Sequence, residues 1–241
     1  MKQRGTSIEY ALAVVRQIFN TARRFRAFEG ENPTARVKFP KPDNGRMRFF
    51  SREEAEMLLN ALKERSIDVH DVTLLSLHCG LRFGEIAELS WQDVNLENEV
   101  LTIRDAKAGS RYAFLTEQAK QMLSDRARGN PSDYVFGGRR GKIESLSRTF
   151  VRTVKELGLN DGIDDPRHRI TFHSCRHSYA SWLVEQGTDL YTVQKLLGHK
   201  TNVMTQRYAH LAEGQLRAAA RSLSARLQPK KEDAKVIHLD K

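Results

Sequence analysis

Cysteine is scarce in this sequence, which has two in 241 residues. Two cysteines cannot build the disulfide framework that holds small secreted domains together, so we expect a cytoplasmic protein in a reducing compartment. Long apolar runs are missing as well. The longest uncharged apolar stretch, Val72–Leu81, has ten residues, whereas a membrane-spanning helix needs about 20. Glu9 and Arg16 interrupt the N-terminal segment where a signal peptide would have its apolar core.

Acidic residues are also in the minority, since 30 Asp and Glu face 40 Lys and Arg and leave a net charge of +10. The excess is concentrated in residues 1–48, where 11 basic and four acidic residues give a net charge of +7. A basic chain of this kind is typical of proteins that bind nucleic acid. The alternative is a solvated surface with surplus Lys and Arg. Hydrophobic residues make up 39% of the chain, which is enough for the core of a folded protein.

The order of patterns along the chain predicts a small N-terminal part and a larger domain. Apolar residues recur every three or four positions between 7 and 28 and predict a helix, so residues 1–30 form the first segment. Residues 31–48 contain prolines and basic side chains, and they predict an extended linker that could follow a phosphate backbone. The main domain is expected at 49–227, and the charged tail 228–241 is expected to be mobile.

Within the main domain, the predicted fold class is mainly α with a small antiparallel β-sheet. Segments 100–103 and 112–115 have the composition of two strands joined by a turn, and a short strand is predicted near 93–96. The pattern Ser51-x-x-Glu54 predicts a helix start through reciprocal capping. Further helices are predicted at 71–79, 83–89, 116–128, 145–157, 173–186, 189–197, 201–211 and 214–227.

His173 and Arg176 lie near the start of a predicted helix, where residues three apart share one face. A guanidinium forms paired hydrogen bonds to phosphate oxygens, and an imidazole can donate a hydrogen bond or move a proton. The pair is therefore suited to a phosphate, although two such residues are more often simply exposed. A zinc site that uses His173, Cys175 and His177 is disfavoured. The metalloprotease pattern has Glu directly after its first His, where this chain has Ser174, and no Cys-x-x-Cys pair is present.

Three further residues, Arg82, His199 and Tyr208, are candidates because of their positions. Arg82 follows the helix-ending Gly80, and Glu85 lies three residues later, where it can hold the guanidinium in place. His199 follows a Leu-Gly pair, and Tyr208 comes nine residues after it. Taken singly, such residues are more often ion pairs, caps or packing residues.

Taken in order, the motifs resemble those of the tyrosine recombinase family, also called phage-type integrases, over roughly residues 30–215. They are Gly-Leu-Arg82-Phe-Gly-Glu85-Ile, Lys107 between the two strands, Thr-Phe-His173-Ser-Cys-Arg176-His-Ser-Tyr-Ala, Leu-Gly-His199-Lys and Thr-Gln-Arg-Tyr208-Ala-His.

The resemblance implies a site-specific recombinase that cleaves and rejoins DNA. Tyr208 would be the nucleophile, forming a 3′-phosphotyrosyl link and releasing a 5′-hydroxyl, which a second strand replaces when the DNA is rejoined. Arg82 and Arg176 would hold the non-bridging oxygens of the phosphate. Because guanidiniums would carry the phosphate charge, no metal and no other cofactor is expected.

The remaining site residues have supporting roles by the same resemblance. His173 would assist Tyr208, His199 would hydrogen-bond the phosphate, and Lys107 would protonate the departing 5′-oxygen. Glu85 would support the site without reacting. Arg111 is the rival of Lys107, but a guanidinium that stays protonated is a poor proton donor.

The expected partners are double-stranded DNA and further copies of the chain, which would form a tetramer on DNA. Free in solution, the chain could be a monomer. No membrane and no small-molecule substrate is expected. The helix at 214–227 could dock on a neighbouring copy or fold back on its own domain, and the sequence leaves both open. The candidate DNA-binding residues are Arg36, Lys38, Lys41, Arg46, Arg48 and Arg111.

Two departures from the family pattern and two rival functions accompany this interpretation. Only about 30 residues precede the linker, where the family has a helical DNA-clamping domain, so residues 1–30 look like its last helix. The segment after Arg111 reads Tyr-Ala-Phe-Leu, where the family commonly has Val-Pro-Leu.

A type IB topoisomerase would use similar groups. The second rival is a catalytically silent DNA-binding regulator. Such a protein would have no reason to keep the complete set of candidate catalytic residues, which are Arg82, Lys107, His173, Arg176, His199 and Tyr208.

Overall fold

The computed structural model describes residues 4–38, 48–104, 110–138 and 141–227. The chain divides into two compact units, residues 1–45 and 46–241. The tail predicted to be mobile and the middle of the predicted linker lie outside the described residues. Among the helices of the described ranges, none combines the length and apolarity that a membrane span needs.

The smaller unit is built on helix α1 (Arg4–Arg24). The helix ends four residues before the predicted end, because the chain turns at Arg26, whose φ of 56° is left-handed. The turn returns Phe28 to the helix, where its ring packs edge-on against Phe19 with the ring centroids 5.1 Å apart. The predicted helix is therefore present, with a folded-back end.

Asn32 and Thr34 attach the following segment to α1. The Asn32 amide donates to the Arg16 carbonyl at 3.0 Å and to Asn20 Oδ1 at 2.8 Å. Arg16 in turn donates to the Thr34 hydroxyl and carbonyl, at 3.2 and 2.5 Å. Both Asn32 and Thr34 are buried, and their polar groups are satisfied by the helix and by each other instead of by water.

The larger unit holds nine helices within the described residues, most of them near their predicted positions. They are α2 (Arg52–Arg65), α3 (Ile67–Cys79), α4 (Phe83–Ala87), α5 (Glu117–Asp125), α6 (Arg148–Glu156), α7 (Phe172–Glu185), α8 (Leu190–Leu197), α9 (Val203–Gln206) and α10 (Glu213–Leu227).

Side-chain caps set several of these helix starts, among them those of α2 and α3. The predicted capping box of α2 is confirmed, since Ser51 Oγ accepts from the Glu54 N–H at 3.1 Å and Glu54 accepts from the Ser51 N–H at 3.0 Å. Helix α3 begins four residues before its predicted start, because Ser66 is a second cap that accepts from the Val69 N–H. The apolar run that predicted α3 marks only its most buried part.

Three antiparallel strands form the main sheet in the order β1 (Val94–Asn95), β2 (Val100–Ile103) and β3 (Arg111–Phe114). Leu101 pairs with Ala113, and both are buried against the core. A second pair, β4 (Gly137–Gly138) with β5 (Gly141–Lys142), was not predicted. Its strands are two residues long and mostly glycine, so they lack the apolar alternation on which strand prediction depends.

Helix α3 forms the centre of the larger unit and packs against both α2 and α7. Its side chains are divided between two cores: Leu75 lies with the sheet and α5, and Leu77 lies with α2, α6 and α7. Because α3 is buried on nearly every side, it places its C-terminal end inside the molecule. The predicted fold class, mainly α with a small antiparallel sheet, is confirmed.

The structure corrects the helix predicted at 201–211. Helix α9 ends at Gln206, and a 3₁₀ turn occupies residues 209–212. Tyr208 lies between them with its N–H on the Thr205 carbonyl, while its own carbonyl accepts from Leu211. These tight three-residue bonds turn the Tyr208 side chain inward, where it is buried in a cluster with α7 and α8.

We expect Leu75→Ala to lower the free energy of unfolding by about 2–5 kcal/mol, because it leaves a cavity at a fully buried position. Urea denaturation followed by circular dichroism measures the change. Met57→Ala on the exposed face of α2 is the control, with an expected change within about 0.5 kcal/mol. Equal effects from the two variants would contradict the assigned core.

Candidate active site

Arg176 is a buried charge held by the ends of two helices. Its side chain is 2% exposed, and its guanidinium donates to the Gly80 carbonyl at 2.5 Å and to the Leu197 carbonyl. Gly80 caps the C-terminus of α3, and Leu197 is the last residue of α8. Carbonyls at a helix C-terminus lack partners within the helix and carry its partial negative charge, so they are suited to hold a cation.

Burial lowers the pKa of Arg176 to about 9, an effect reinforced by the charge of Arg82 and opposed by Glu85. Arg176 therefore remains positively charged at neutral pH. A guanidinium has five N–H groups, so two carbonyl bonds leave further donors for an anion.

Glu85 links the arginines of the site. One carboxylate oxygen accepts from Arg82 Nη1 at 2.8 Å, and the other accepts from Arg111 Nη2 at 2.9 Å. The second oxygen also lies 3.7 Å from Arg176 Nη1 and accepts from the Arg82 backbone N–H at 2.7 Å. The Arg82 side chain is 37% exposed and that of Glu85 is 15% exposed. The carboxylate therefore forms the inner anchor, while Arg82 reaches toward solvent.

The surroundings of Glu85 keep it ionised. Burial alone would raise its pKa, but the charge of Arg111, the Arg82 N–H and the charges of Arg176 and Arg82 outweigh burial and hold the pKa below its ordinary value. Three guanidiniums around one carboxylate leave the site with excess positive charge. Such a site is suited to a phosphodiester.

His199 is a neutral hydrogen-bonding group in this site. Burial, followed by the charges of Arg176 and Arg82, lowers its pKa to about 3. Its Nδ1 lies 2.9 Å from the hydroxyl of Thr205. When Thr205 donates to Nδ1, the ring carries its proton on Nε2, and this tautomer can donate to a phosphate oxygen.

The Tyr208 hydroxyl lies 2.5 Å from Nδ1 of His177. Tyr208 is 5% exposed, and burial raises its pKa to about 12 against the lowering charges of Arg207 and Arg176. The phenol is therefore protonated at neutral pH, and its O–H can donate to Nδ1 of His177 in the tautomer that leaves this nitrogen without a proton. This structure holds the Tyr208 hydroxyl within the protein, against a potential proton acceptor.

His173 is exposed at the start of α7, and its ring lies edge-on to that of His177 at 4.7 Å between centroids. Arg82, Arg176 and His199 come together around one positive centre, with Tyr208 close enough for its pKa to respond to Arg176. Lys107 lies outside the described residues. The roles given to all these residues stay predictions.

The candidate DNA-binding residues have varied surroundings. Lys41 and Arg46 lie outside the described residues, whereas Lys38 is exposed and Arg36 pairs with Glu31 at 3.2 Å. Arg48 donates to the Leu159 carbonyl at 2.7 Å and to Glu54 at 2.5 Å. Arg111 contacts Glu85 as described and also the Leu196 carbonyl at 3.1 Å. Arg48 and Arg111 therefore make specific bonds within the protein.

No group of three or more His, Cys, Asp or Glu side chains suited to hold a metal occurs in the described ranges. The two cysteines, Cys79 and Cys175, are free and buried. Burial raises the pKa of both thiols, which disfavours the thiolate needed for metal binding or nucleophilic attack.

Sequence reasoning missed two contacts of the site. His177 entered only as part of the disfavoured zinc site, although its position four residues after His173 places both on one helix face. Thr205 lies three residues before Tyr208, and no pattern in the sequence distinguishes it. The contact between His177 and Tyr208 depends on the break in the chain at Tyr208, which the predicted continuous helix did not include.

Comparison with known proteins supports the fold and identifies the class. The Phage integrase family matches residues 48–215. Tyrosine recombinase XerA of Pyrococcus furiosus is 29% identical over 216 residues, covering 87% of this chain and 74% of that protein. Tyrosine recombinase XerD of Pseudomonas putida is 32% identical over 197 residues, covering 77% of this chain and 64% of that protein.

A structure of the Tn1549 transposon integrase in complex with transposon right end DNA shares the fold, with a TM-score of 0.70 and 20% identity. The similarity covers 91% of this chain and 79% of that one. The fold is thus that of the catalytic domains of tyrosine recombinases, which are site-specific recombination enzymes. The chain belongs to the Phage integrase family, and the resemblance inferred from its motifs is confirmed.

We expect the stabilising effect of the Glu85 charge to depend on pH. Because the folded-state pKa of Glu85 lies below its ordinary value of 4.5, the charge stabilises the protein above that pH. This stabilisation is lost as the pH falls through the lower folded-state pKa. The difference in free energy of unfolding between wild type and Glu85→Gln is therefore expected to be constant near neutral pH and to shrink below about pH 4.5.

Urea denaturation of both proteins between pH 3 and 7 measures this difference. Glu156→Gln is the control, since Glu156 forms a half-exposed ion pair with Arg65 and such pairs contribute little. A difference that stays constant or grows on acidification would contradict the network described for Glu85.

Proposed function

We propose that this chain is the DNA-cleaving and DNA-joining part of a site-specific recombinase, with Tyr208 as its nucleophile. The observation that carries the proposal is the positive centre formed by Arg176, Arg82 and a neutral His199 beside a buried, hydrogen-bonded tyrosine. The names of its relatives, tyrosine recombinases and integrases, support the same reaction. Double-stranded DNA is the substrate that we propose, and the structure of the Tn1549 integrase in complex with transposon right end DNA supports DNA as the partner.

The phosphate is held in two layers. Arg82 is partly exposed and meets the incoming phosphodiester first, while Arg176 lies beneath it with its guanidinium fixed by two carbonyls. Donors held rigidly where negative charge develops are worth more than flexible ones, since no reorganisation is needed during the reaction. His199 adds a hydrogen bond from an uncharged ring, so this contact to the phosphate does not require the positively charged form of the imidazole at neutral pH.

Activation of Tyr208 needs both a base and a charged environment. With a pKa of about 12, ionising the phenol at pH 7 costs about 7 kcal/mol. His177 is already at hydrogen-bond distance and can accept the proton. The exposed His173, whose ring lies edge-on to that of His177, is the second histidine that we propose to assist Tyr208. The charges of Arg207 and Arg176 already contribute to that pKa. What remains of the cost is offset as the bond to phosphorus forms, because the arginines stabilise the more highly charged phosphorus transition state.

In the reaction, the Tyr208 oxygen forms a bond to phosphorus as the bond from phosphorus to the 5′-oxygen breaks. The proton of the phenol passes to His177, the histidine at hydrogen-bond distance. The departing 5′-oxygen takes up a proton, for which Lys107 is our candidate donor. A 5′-hydroxyl then attacks the phosphorus and gives up its proton as the bond from phosphorus to the Tyr208 oxygen breaks. The tyrosine takes back the proton held by histidine, and a phosphodiester is restored. The phosphoester is exchanged throughout, so no nucleotide cofactor is needed.

We also propose a domain organisation, an oligomeric state and a compartment for the chain. Residues 49–227 form the catalytic domain, 31–48 act as a basic linker and 1–30 as the end of a DNA-clamping part. Copies of the chain would assemble as a tetramer on paired DNA sites, in the cytoplasm. The buried, unpaired state of both cysteines is compatible with that compartment.

Covalent trapping tests the nucleophile. With a nicked suicide DNA substrate drawn from the flanks of the gene, the wild-type protein is expected to remain attached to DNA after denaturation, because the cleaved product cannot be rejoined. Tyr208→Phe removes only the attacking oxygen and is expected to form no adduct while still shifting DNA in a gel. Tyr191→Phe, at an exposed tyrosine on α8, is the matched control and is expected to retain the adduct.

The products distinguish the rival activities. DNA binding without an adduct in the wild type would favour a silent regulator and contradict the proposal. An adduct accompanied by relaxation of supercoiled DNA, with no joining of partner strands, would favour a topoisomerase. Adduct formation that survives Tyr208→Phe would contradict the assignment of the nucleophile.

We expect Arg82→Ala to reduce the rate of cleavage at saturating DNA by about 100-fold or more, as for the loss of one donor to a transition-state oxyanion. DNA affinity is expected to change much less, because many other phosphate contacts supply it. Single-turnover cleavage and a binding titration measure the two effects. Arg65→Ala, at an exposed ion pair on α2, is the control. Equal losses in affinity and rate would contradict the role of Arg82.

A further inference from the structure

Arg111 is the first residue of β3 and pairs with Ile103 of β2. Alternate residues of a strand point to opposite faces, so Arg111 shares the face of the buried Ala113. Tyr112 and Phe114 occupy the opposite face and are 63% and 54% exposed. The Arg111 side chain is only 18% exposed. The strand therefore directs a charged side chain toward the interior of the unit.

One terminal nitrogen of Arg111 binds the carboxylate that holds Arg82. The Nη2 atom is 2.9 Å from Glu85, and the other oxygen of Glu85 is 2.8 Å from Arg82. A single carboxylate thus connects an arginine of the sheet to the partly exposed arginine at the start of α4. Without Arg111, this Glu85 oxygen would keep only the Arg82 N–H as a hydrogen-bond donor, with Arg176 Nη1 3.7 Å away.

The other terminal nitrogen of Arg111 reaches the end of α8. The Nη1 atom donates to the Leu196 carbonyl at 3.1 Å, next to the carbonyl that Arg176 uses. The side chain then passes directly over Gly198, where an added Cβ would lie 2.4 Å from both Cδ and Nε of Arg111. Gly198 also has φ +62°, a left-handed conformation that glycine adopts most easily. His199 is the next residue.

We propose that Arg111 is a positioning residue that fixes the separation between Arg82 and His199 by binding Glu85 and the Leu196–Gly198 turn at the same time. The proposal rests on the function proposed above, since it assigns these two groups to one phosphate. A guanidinium is suited to the task because its two terminal nitrogens diverge at a fixed angle in one plane, whereas a lysine presents one flexible ammonium. This role replaces the contact to DNA expected for Arg111 from the sequence.

The first test uses the protein without DNA. The Arg111→Met variant keeps an aliphatic side chain and removes the guanidinium. NMR titration of this variant is expected to show a pKa for Glu85 that is higher than in the wild-type protein. Arg82 and Arg176 are the charged groups that would still face the carboxylate. The ring resonances of His199, assigned with His199→Gln, are expected to shift as well. Arg104→Met is the matched control. Arg104 directly follows β2 and forms an ion pair with Asp93, whereas Arg111 forms one with Glu85.

The second test separates positioning from DNA contact. Single-turnover cleavage at saturating DNA is expected to fall at least tenfold in Arg111→Met and less in Arg111→Lys, with the acidic limb of the pH profile moved to higher pH in the Met variant. The slope of log affinity against log salt is expected to stay unchanged. A lost phosphate contact would instead reduce that slope by about 0.9. If Arg111→Met does not fold, the same measurements on Arg111→Lys decide.

Unchanged Glu85 and His199 signals in the variant would overturn the proposal. A smaller salt slope with an unchanged rate at saturation would also overturn it and restore the DNA contact. If the wild-type protein cleaves no DNA, the proposed function fails, but the NMR measurements still decide whether Arg111 positions the two groups. The two failures are therefore distinguishable.

Discussion

The positive charge buried at Arg176 is the constraint around which the larger unit is built. An ion removed from water is stable only when partners replace its hydration. Here the partners are main-chain carbonyls at the C-termini of α3 and α8, with the Glu85 carboxylate close by. The requirement brings together three distant parts of the sequence. It also accounts for the path of α3 through the core, because the C-terminal end of this helix supplies the Gly80 carbonyl to the Arg176 guanidinium.

The reactive groups lie at the ends of elements, where the chain changes direction. Arg82 precedes α4, His173 is near the start of α7, His199 follows α8 and Tyr208 occupies the break after α9. Left-handed glycines make two of these ends, at Gly80 and Gly198. Such positions leave backbone groups free and side chains directed at a common point, while the helices behind them supply rigidity.

Much of this arrangement could be predicted from the sequence, since the helical periodicity, the Ser51 cap and the spacing of the motifs are local signals. The rest depends on distant contacts. The inward direction of Arg111 follows from the register of β3 and from a glycine 87 positions later in the chain. The contact between His177 and Tyr208 requires the helix predicted at 201–211 to break, and tertiary packing outweighed local propensity there. The β4–β5 pair is too short to leave a pattern.

The carbonyl partners of Arg176 have a consequence for how such a site changes during evolution. Every residue type has a carbonyl, so no substitution at Leu197 can remove the acceptor atom itself. The interaction is encoded in the path of the main chain, and it responds only to changes that move a helix end. The main-chain anchoring of this guanidinium is therefore insulated from side-chain substitutions, and its two carbonyl partners would be invisible to any search for covarying residue types.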